Sequence, residues 1–591
     1  MFGDTSRKEL VKVGIGEEAA DLAVVGGKHV NVHSGEIIEE DVAIKGDRIA
    51  FVGDVDDVID DSTEIINAEG KYITPGLIDG HQHSYHSYIN GTEFAKLMLK
   101  HGTTAYADGF YGQGVVSGRK AIDYLKDEIE KTPLKLVFLV PTLVHLQNDE
   151  LGIPSTPEKL SPEEMNEMLE WEDCHGLEEP PYLPILDLDD TYIDLFEKTL
   201  SLKKVVTGHG SGVSKAGLNA YVASGAATDH EVTNKEDAME WSRRGMYLLS
   251  RWGSTAPDVI EISKAVSEEK FDNRNFAFCT DMQVVVDTAR EGYIDRNVQV
   301  AIQNGVNPIS AVQMGTLNTA HALRIDHELG SIIPGKVADI VLVEDLEEFE
   351  VDTVIASGEV VVENSELTFD LKIPDYPDWM KDTINLERPI KQEDLKVSSD
   401  KEEVTVRTVL IEDGSIITEE GRATLEVENG AVQTSIEKDI LKGVMIDRHE
   451  ASGRIGKAFV KGYGLKNGAF GSSVNALREN IVSVGTNDMD IAKVANRISE
   501  LNGGVVVVKN GEVIAEVPLP LFGLQSDDVS DKVIEKFEEV AKALNELGCG
   551  LTSPLTNLEF MCACGEIPYI KISDYGLVDI EEREMIDLIV D

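Results

Sequence analysis

Two histidines one residue apart, His81 and His83, are the sharpest candidates for chemistry in this sequence. They end the segment ITPGLIDGHQH (73–83), in which an apolar run gives way to Asp79 and Gly80. In an extended chain, residues two apart point to the same side, so both imidazoles can bind one metal ion. A lone His-x-His pair is more often an ordinary surface or core feature, so this prediction depends on further ligands.

Four further candidate ligands each follow a short apolar or small-residue stretch. They are Glu179, His209, His230 and Asp281. With the two histidines they supply imidazole nitrogens and carboxylate oxygens, which suit Mn, Fe, Co or Zn and do not form a closed thiolate site. Each residue alone can be explained as a polar group at a strand end, but the joint pattern favours a metal centre.

The six candidates lie in the interval 75–327, where short apolar strands alternate with helical stretches. That alternation over about 250 residues predicts a parallel sheet, closed as a barrel or doubly wound as an open sheet. In a barrel, residues just after the strands lie at the carboxyl-terminal mouth, where active sites form. The candidates would then share one end of the fold.

Two β-rich segments flank this interval, 20–54 and 328–367, and both have β-branched runs broken by glycine turns. They predict one small split β-sandwich around the barrel; the alternative is two unrelated edge hairpins. A linker rich in Pro and charge, 372–404, precedes a further α/β unit. The predicted domains are 1–74 with 328–395 (split β-sandwich), 75–327 (barrel) and 396–591 (C-terminal domain).

Composition excludes several functions. Asp and Glu number 108 against 54 Lys and Arg, which gives a formal net charge of -54. That charge argues against a nucleic-acid partner, which needs a basic surface, and against an anionic membrane. Five cysteines make no disulfide framework, and residues 1–16 lack the apolar core of a secretory signal. The sequence therefore predicts a soluble cytoplasmic protein.

Several segments, taken in order along the chain, resemble one family. They include TPGLIDGHQH, HGTTAYAD, GHGSGVSKAGLNAYVASGAATDHE, GSIIPGKVADIVLVEDL and DRHEASGRIGKAFVKGYGL. On these segments the chain is identified as a member of the adenine deaminase family of the metal-dependent amidohydrolase superfamily. The resemblance covers nearly the whole chain. It implies an α/β fold: a (β/α)8 TIM-like barrel with a split small β-sandwich domain and an additional C-terminal α/β domain.

The resemblance also implies a centre of two divalent metal ions, Mn or Fe with Zn as the alternative. The first ion would be bound by His81, His83 and Asp281 and the second by His209 and His230, with Glu179 bridging both. The implied catalytic residues are Asp281 and Glu179. Asp281 would take a proton from the attacking water and pass it to the leaving amine.

The implied activity is the hydrolytic deamination of adenine, a purine base, to hypoxanthine and ammonia by a metal-activated hydroxide. Two alternatives stay open. One is a related amidohydrolase that acts on another purine-like or cyclic amide ring, and the other is a catalytically silent metal-binding paralogue. A homodimer is implied by the resemblance alone.

Some positions near the predicted centre depart from the family pattern. Family members usually have the sequence Asp-Pro-His-Glu where this chain has Asp108 and the three residues after it, and they usually have a Glu two residues after the second metal-binding histidine. The departing residues are Tyr85, Gly109, Phe110, Tyr111, Met282, Gln283, Asn475, Ala476, Leu477, Arg478 and Glu479. Loss of polar groups from a pocket changes which ring it accepts. These positions therefore predict altered substrate preference with metal binding retained.

A basic segment, 447–457, contains Arg448, His449 and Arg454. It either reaches the substrate mouth from the C-terminal domain or braces a domain interface. The sequence gives these two alternatives equal weight.

Overall fold

The computed structural model describes residues 2–144, 160–254, 256–413, 415, 417–476, 478–562 and 569–590. Leu477, one of the departing positions, lies outside the described residues. The described chain forms a small β-portion, an eight-stranded parallel barrel and a C-terminal portion built on a nine-stranded sheet. This architecture confirms the predicted fold class.

The small β-portion is assembled from chain on both sides of the barrel. Its four-stranded sheet contains Leu22–Val25, Asp41–Lys45, Arg48–Gly53 and Glu64–Asn67. Its seven-stranded sheet contains Lys28–Asn31, Glu36–Glu39, Tyr72–Pro75, Ile340–Val343, Val351–Ala356, Glu359–Glu363 and Glu366–Leu367. Within that sheet, Tyr72–Pro75 pairs antiparallel with Ile340–Val343. The two β-rich segments therefore share one sheet, and they are not separate hairpins.

Eight strands form the barrel, in sequence order and all parallel. Numbered β1 to β8, they are Leu77–Asp79, Thr103–Asp108, Lys135–Pro141, Cys174–Glu178, Val205–Gly208, Thr228–Asp229, Tyr247–Arg251 and Phe276–Cys279. They are almost wholly buried, as parallel strands covered by helices must be.

Helices connect the strands and follow β8. They are Gly91–Lys100, Tyr111–Ser117, Arg119–Ile129, Pro162–Leu169, Tyr182–Leu186, Asp190–Ser201, Lys215–Ser224, Lys235–Ser242, Val259–Ser267, Val285–Glu291, Ile294–Gln303, Pro308–Gly315 and Leu317–Ala322. Several begin at a side-chain cap, such as Asn90, which accepts a hydrogen bond from the backbone N–H of Glu93. A further helix, Arg7–Gly14, packs on the four-stranded sheet.

The sheet is closed by backbone hydrogen bonds between the segments that follow β1 and β8. The N–H of Asp281 donates to the carbonyl of His81, and the N–H of His83 donates to the carbonyl of Asp281, each at 2.9 Å. One layer lower, the N–H of Gly80 donates to the carbonyl of Phe278 at 3.1 Å. The open doubly wound alternative is therefore excluded, and closure itself brings three candidate residues together.

The C-terminal portion is built on a nine-stranded, mainly antiparallel sheet. Its strands are Glu403–Ile411, Thr418–Glu428, Ala431–Val432, Ile440–Ile446, Ile455–Lys461, Ala469–Ser472, Ile481–Gly485, Gly504–Lys509 and Glu512–Pro518. Helices Asp378–Lys381, Asp488–Glu500, Ser530–Leu547 and Pro554–Phe560 accompany it. A three-stranded sheet contains Ile570–Ser573, Gly576–Asp579 and Glu584–Ile586.

Polar contacts hold the C-terminal portion against the segment that follows β1. The side-chain amide of Gln525 donates to the carbonyl of Ile89 at 2.7 Å. Glu559 accepts a hydrogen bond from the hydroxyl of Tyr88, and its other oxygen lies 3.3 Å from Nδ1 of His86. The C-terminal portion therefore covers part of the barrel mouth.

None of the described helices combines the length and the apolar character needed to cross a bilayer.

The predicted domain boundaries, 1–74 with 328–395, 75–327 and 396–591, stay a prediction.

Candidate metal centre

All six candidate ligands lie just beyond the carboxyl ends of barrel strands. β1 is followed by His81 and His83, β4 by Glu179, β5 by His209, β6 by His230 and β8 by Asp281. Parallel strands in a closed barrel end at one mouth, so residues that are 200 positions apart in the chain, such as His81 and Asp281, become neighbours.

Glu179 lies at the centre of the group. Its Oε1 is 2.7 Å from Nε2 of His81, 3.2 Å from Nε2 of His83, 3.1 Å from Nε2 of His230 and 3.7 Å from Nδ1 of His209. Oδ1 of Asp281 lies 3.6 Å from Nε2 of both His81 and His83.

The candidate atoms fall into two compact groups that overlap at one carboxylate. One atom from each of His81, His83, Glu179 and Asp281 lies within 4.8 Å of the others, and the same holds for Glu179, His209 and His230. Glu179 is therefore the residue common to both groups.

Two of these residues adopt backbone conformations that side chains rarely tolerate. Glu179 has φ of 44° and Asp281 has φ of 62°, both in the left-handed region. Such strain costs about 1–3 kcal/mol and persists at sites where function demands the geometry. In both cases the turn aims a carboxylate into the mouth directly after its strand.

The pKa values of the candidate ligands are set by burial and by the charges of neighbouring groups. Burial lowers the pKa of His81 to about 4. Burial also opposes the charging of His83 and His209, but Glu179 raises the pKa of His83 to about 10 and Glu231 raises that of His209 to about 9. Although burial works against it, the electrostatic interaction with His83, and to a lesser extent with His81, holds the pKa of Glu179 well below its usual range.

The donor set fits divalent cations. All four histidines have buried ring nitrogens without a well-aligned hydrogen bond, which is rare for polar atoms in a protein interior. Imidazole nitrogens and carboxylate oxygens that converge without thiolates are typical ligands of first-row divalent ions. The residues therefore fit such ions at both groups.

A buried arginine beside the centre was missed by the sequence analysis. Arg251, at the end of β7, places Nη1 2.7 Å from Oε1 of Glu231 and 3.2 Å from Oδ2 of Asp281. Its Nε lies 2.7 Å from Oδ2 of Asp258. Arg251 could have been found from the sequence as a charged residue at the end of a predicted strand, which is the feature that identified the candidate ligands.

A cavity of about 380 Å³ adjoins this ion-pair network. Glu231 and Arg251 are among its charged lining residues, Trp241 contributes apolar surface, and Ile417 reaches it from the C-terminal portion. The other charged residues that line it are Lys215, Asp237 and Glu240. Space for a small molecule therefore exists next to the candidate ligands, with part of its lining supplied from outside the barrel.

The departing positions near β1 and β2 form an aromatic wall. The hydroxyl of Tyr85 donates to that of Tyr111 at 2.7 Å, and the ring of Tyr111 packs edge-on against His83 with centroids 4.8 Å apart. Glu479 is fully buried nearby; burial raises its pKa to about 8. Met282 and Gln283 are also buried, and Gln283 bonds to the carbonyl of Gly292.

The basic segment 447–457 braces the C-terminal portion. Arg448 donates to the carbonyl of Phe522 at 2.8 Å, and the Nε of Arg454 lies 2.7 Å from Oδ2 of Asp574. A ring nitrogen of His449 lies 2.9 Å from the carbonyl of Arg478. Because all three partners belong to the C-terminal portion itself, these contacts stabilise that portion internally and favour neither alternative.

Sequence comparisons agree with the fold and the donor set. Residues 72–361 match the model of the amidohydrolase family, and residues 415–584 match that of the adenine deaminase C-terminal domain. A barrel with His, Glu and Asp gathered at its strand ends, in a chain that matches that family, defines a metal-dependent hydrolase of the amidohydrolase class.

Proteins similar to this chain over nearly its full length identify the family within this class. The chain is 36% identical to an adenine deaminase from Clostridium botulinum, over 99% of this chain and 98% of that protein. It is 35% identical to an adenine deaminase from Moorella thermoacetica, over 98% of both chains. The chain belongs to the adenine deaminase family. Among solved structures, a β-aspartyl dipeptidase from Fervidobacterium islandicum matches with a TM-score of 0.47 and 16% identity, over 60% of this chain and 99% of that one.

Proposed function

We propose that this protein catalyses the hydrolytic deamination of adenine to hypoxanthine and ammonia, using two divalent metal ions, Mn or Fe. His81, His83 and Asp281 would hold the first ion. His209 and His230 would hold the second, and Glu179 would bridge the pair.

One observation carries the proposal: five candidate side chains converge on Glu179 at the mouth of the barrel, in a chain that is 36% identical to an adenine deaminase over 99% of its length. The unsatisfied ring nitrogens of the histidines support metal binding independently of that likeness. When bound, two divalent ions would supply Lewis-acid activation of water near neutral pH.

The protein's own residues have defined tasks in this reaction. Asp281 directs Oδ1 toward His81 and His83, which places a carboxylate oxygen where it can accept the proton of the attacking water. Asp281 then delivers that proton to the amine nitrogen on C6, because an amine leaves poorly until it is protonated. Arg251 holds Oδ2 of the same carboxylate and so fixes its orientation.

We also infer a cytoplasmic location and a homodimer. The described cysteines Cys174, Cys279 and Cys549 are buried and free, as expected in a reducing compartment. The dimer rests on the family likeness alone.

A panel assay tests the substrate. Protein loaded with Mn²⁺ is supplied with adenine, other aminopurines and cyclic amides, and ammonia or ring opening is measured. Turnover of adenine above that of all other compounds supports the proposal. Preference for another ring would establish the related amidohydrolase. No turnover by metal-loaded protein would establish a silent paralogue.

A further inference from the structure

The chain that carries the first two candidate ligands continues from His83 into a tight turn. The backbone N–H of His86 donates to the carbonyl of His83 at 2.9 Å, which begins a short 3-10 helix, Ser84–Ser87, directly after the ligand. Tyr88 ends this turn with φ of 64°, a conformation that is uncommon for a large side chain. Such a conformation persists only where the surrounding structure imposes it.

The contacts that impose this conformation come from the C-terminal portion. The N–H of Ser526 donates to the carbonyl of Tyr88 at 2.8 Å, and the side chain of Gln525 donates to the carbonyl of Ile89 at 2.7 Å. The side-chain amide of Asn90 donates to the carbonyl of Ser526 at 3.2 Å. Residues of the C-terminal portion therefore satisfy the backbone carbonyls at the end of the turn.

Glu559, on the helix Pro554–Phe560, contacts the side chains of the same turn. One of its carboxylate oxygens accepts a hydrogen bond from the hydroxyl of Tyr88, and the other lies 3.3 Å from Nδ1 of His86. All three side chains are at most 3% exposed, so the loss of one would leave buried polar groups without a partner. A single carboxylate therefore joins the middle of the turn to its end.

The second group of candidate ligands is held by the barrel itself. The N–H of His209 donates to the hydroxyl of Tyr221 at 2.9 Å, and the N–H of Gly210 donates to Oδ2 of Asp229 at 2.8 Å. Tyr221 lies on the helix after β5, and Asp229 is the last residue of β6, directly before His230. The two groups of ligands should therefore differ in how much they depend on the C-terminal portion.

We propose that Glu559 is a positioning residue for the first metal ion. Through His86 and Tyr88 it fixes the turn that follows His83, and so it fixes the place of that imidazole at the ion. Glu559 itself binds neither ion nor substrate. The inference rests on the proposed centre of two ions, and it gives the C-terminal portion a part in building that centre.

Titration with Mn²⁺ tests this role without any activity measurement. Glu559→Ala removes both contacts, whereas Glu559→Gln retains an oxygen that can accept the bond from Tyr88. Metal-free protein is titrated with Mn²⁺, and binding is followed by calorimetry and by paramagnetic resonance, which also detects coupling between two neighbouring Mn²⁺ ions. The matched control is Asp490→Asn, a buried carboxylate of the C-terminal portion that accepts the N–H of Gly511 at 2.6 Å.

The parent protein and Asp490→Asn should each bind two ions with equal affinities in the two proteins. Glu559→Ala should bind one ion as the parent does and the other about 10- to 100-fold more weakly, as found for groups that orient metal ligands. The coupled signal should be lost at Mn²⁺ concentrations that fill only the tighter site. Glu559→Gln should show a smaller loss, because one of the two contacts is retained.

Double variants identify which ion is affected. In a His209→Ala background, in which the second site is weakened, adding Glu559→Ala should weaken the ion that remains. In a His81→Ala background, in which the first site is weakened, adding Glu559→Ala should leave the affinity for the remaining ion unchanged.

Two ions bound with parent affinity by folded Glu559→Ala would overturn the proposal. Equal weakening of both ions would overturn it too, because Glu559 would then act on the stability of the whole protein. Circular dichroism and thermal unfolding of the metal-free proteins establish folding, and if Glu559→Ala does not fold, the same criteria apply to Glu559→Gln. A parent that binds no Mn²⁺ would overturn the two-ion centre of the proposed function together with this inference, whereas the other outcomes concern Glu559 alone.

Discussion

Arg251 places Nη1 3.2 Å from Oδ2 of Asp281, so a buried cation holds one oxygen of this carboxylate while Oδ1 faces the histidines that follow β1. The same Nη1 lies 2.7 Å from Oε1 of Glu231. One guanidinium therefore joins the carboxylate after β8 to the carboxylate that follows His230. The orientation of the proposed proton carrier is set by a residue that binds neither ion.

Replacing Arg251 with glutamine should lower kcat or metal affinity by about 10- to 100-fold, as found for groups that orient metal ligands. It should also reduce the free energy of unfolding by about 3–5 kcal/mol, because buried carboxylates lose their partner. Arg251→Lys should recover part of the activity. Arg244→Gln, at a partly exposed pair with Glu240, serves as the control. Unchanged kcat in folded, metal-loaded Arg251→Gln would exclude the positioning role.

Asp281→Asn should remove the proton carrier. Since positioned acid–base groups contribute roughly 10²–10⁴-fold to a rate, kcat should fall by at least about 100-fold. Metal content must be measured alongside, so that lost proton transfer is separated from lost ligation. Asp287→Asn, six residues further along and partly exposed, should retain full activity. Normal turnover by Asp281→Asn would contradict the mechanism.

Metal binding should depend steeply on pH, because protons and cations compete for the same ring nitrogens. In the metal-free protein the pKa is raised from 6.5 to about 10 for His83 and about 9 for His209, so both are protonated at pH 8. Raising the pH toward 9–10 should therefore strengthen Mn²⁺ binding, by up to about tenfold per unit for each proton displaced. Calorimetry in two buffers of different ionisation enthalpy counts those protons. Binding at pH 8 without proton release would refute the competition.

Tyr111→Phe should change selectivity and leave metal content intact. The hydroxyl of Tyr111 bonds to that of Tyr85, and its ring packs on His83. One hydrogen bond contributes about 0.5–1.5 kcal/mol, so we expect kcat/KM for adenine relative to other aminopurines to shift by roughly 2- to 10-fold. The same panel of compounds measures the ratio, and Tyr124→Phe, on the outer helix Arg119–Ile129, serves as the control. An unchanged ratio would place the aromatic wall outside the substrate pocket.

The positions of the six candidate residues could be predicted because each directly follows a barrel strand. The alternation of strands and helices predicted the barrel and its carboxyl-terminal mouth. The second β-rich segment, 328–367, predicted the β-sandwich that is split around the barrel. These features are local in sequence, and because parallel barrel strands all end at one mouth, residues that follow different strands lie close together.

The ion pairs of Arg251 could not be predicted, because they depend on side-chain directions at β6, β7 and β8 together. The same is true of Glu178. Its neighbour Glu179 carried the metal-ligand pattern, and only the close approach of Gly109 to Glu178 reveals that both carboxylates turn inward. The positive φ of Glu179 and Asp281 could not be predicted either, because this conformation is uncommon for glutamate and is adopted by only a minority of aspartates.

The seating of the C-terminal portion on the segment after β1 has a consequence for biosynthesis. The side chain of Gln525 bonds to the carbonyl of Ile89 across a separation of 436 residues. At about 5–20 residues per second, a ribosome needs roughly 20–90 s to traverse that interval. For the last 246 residues of that interval, after β8 ends at Cys279, the mouth of the nascent barrel exposes polar groups and aromatic rings whose partners have not yet been made. Chaperone binding to the growing chain should therefore be greatest in that window and end when Gln525 and Glu559 emerge.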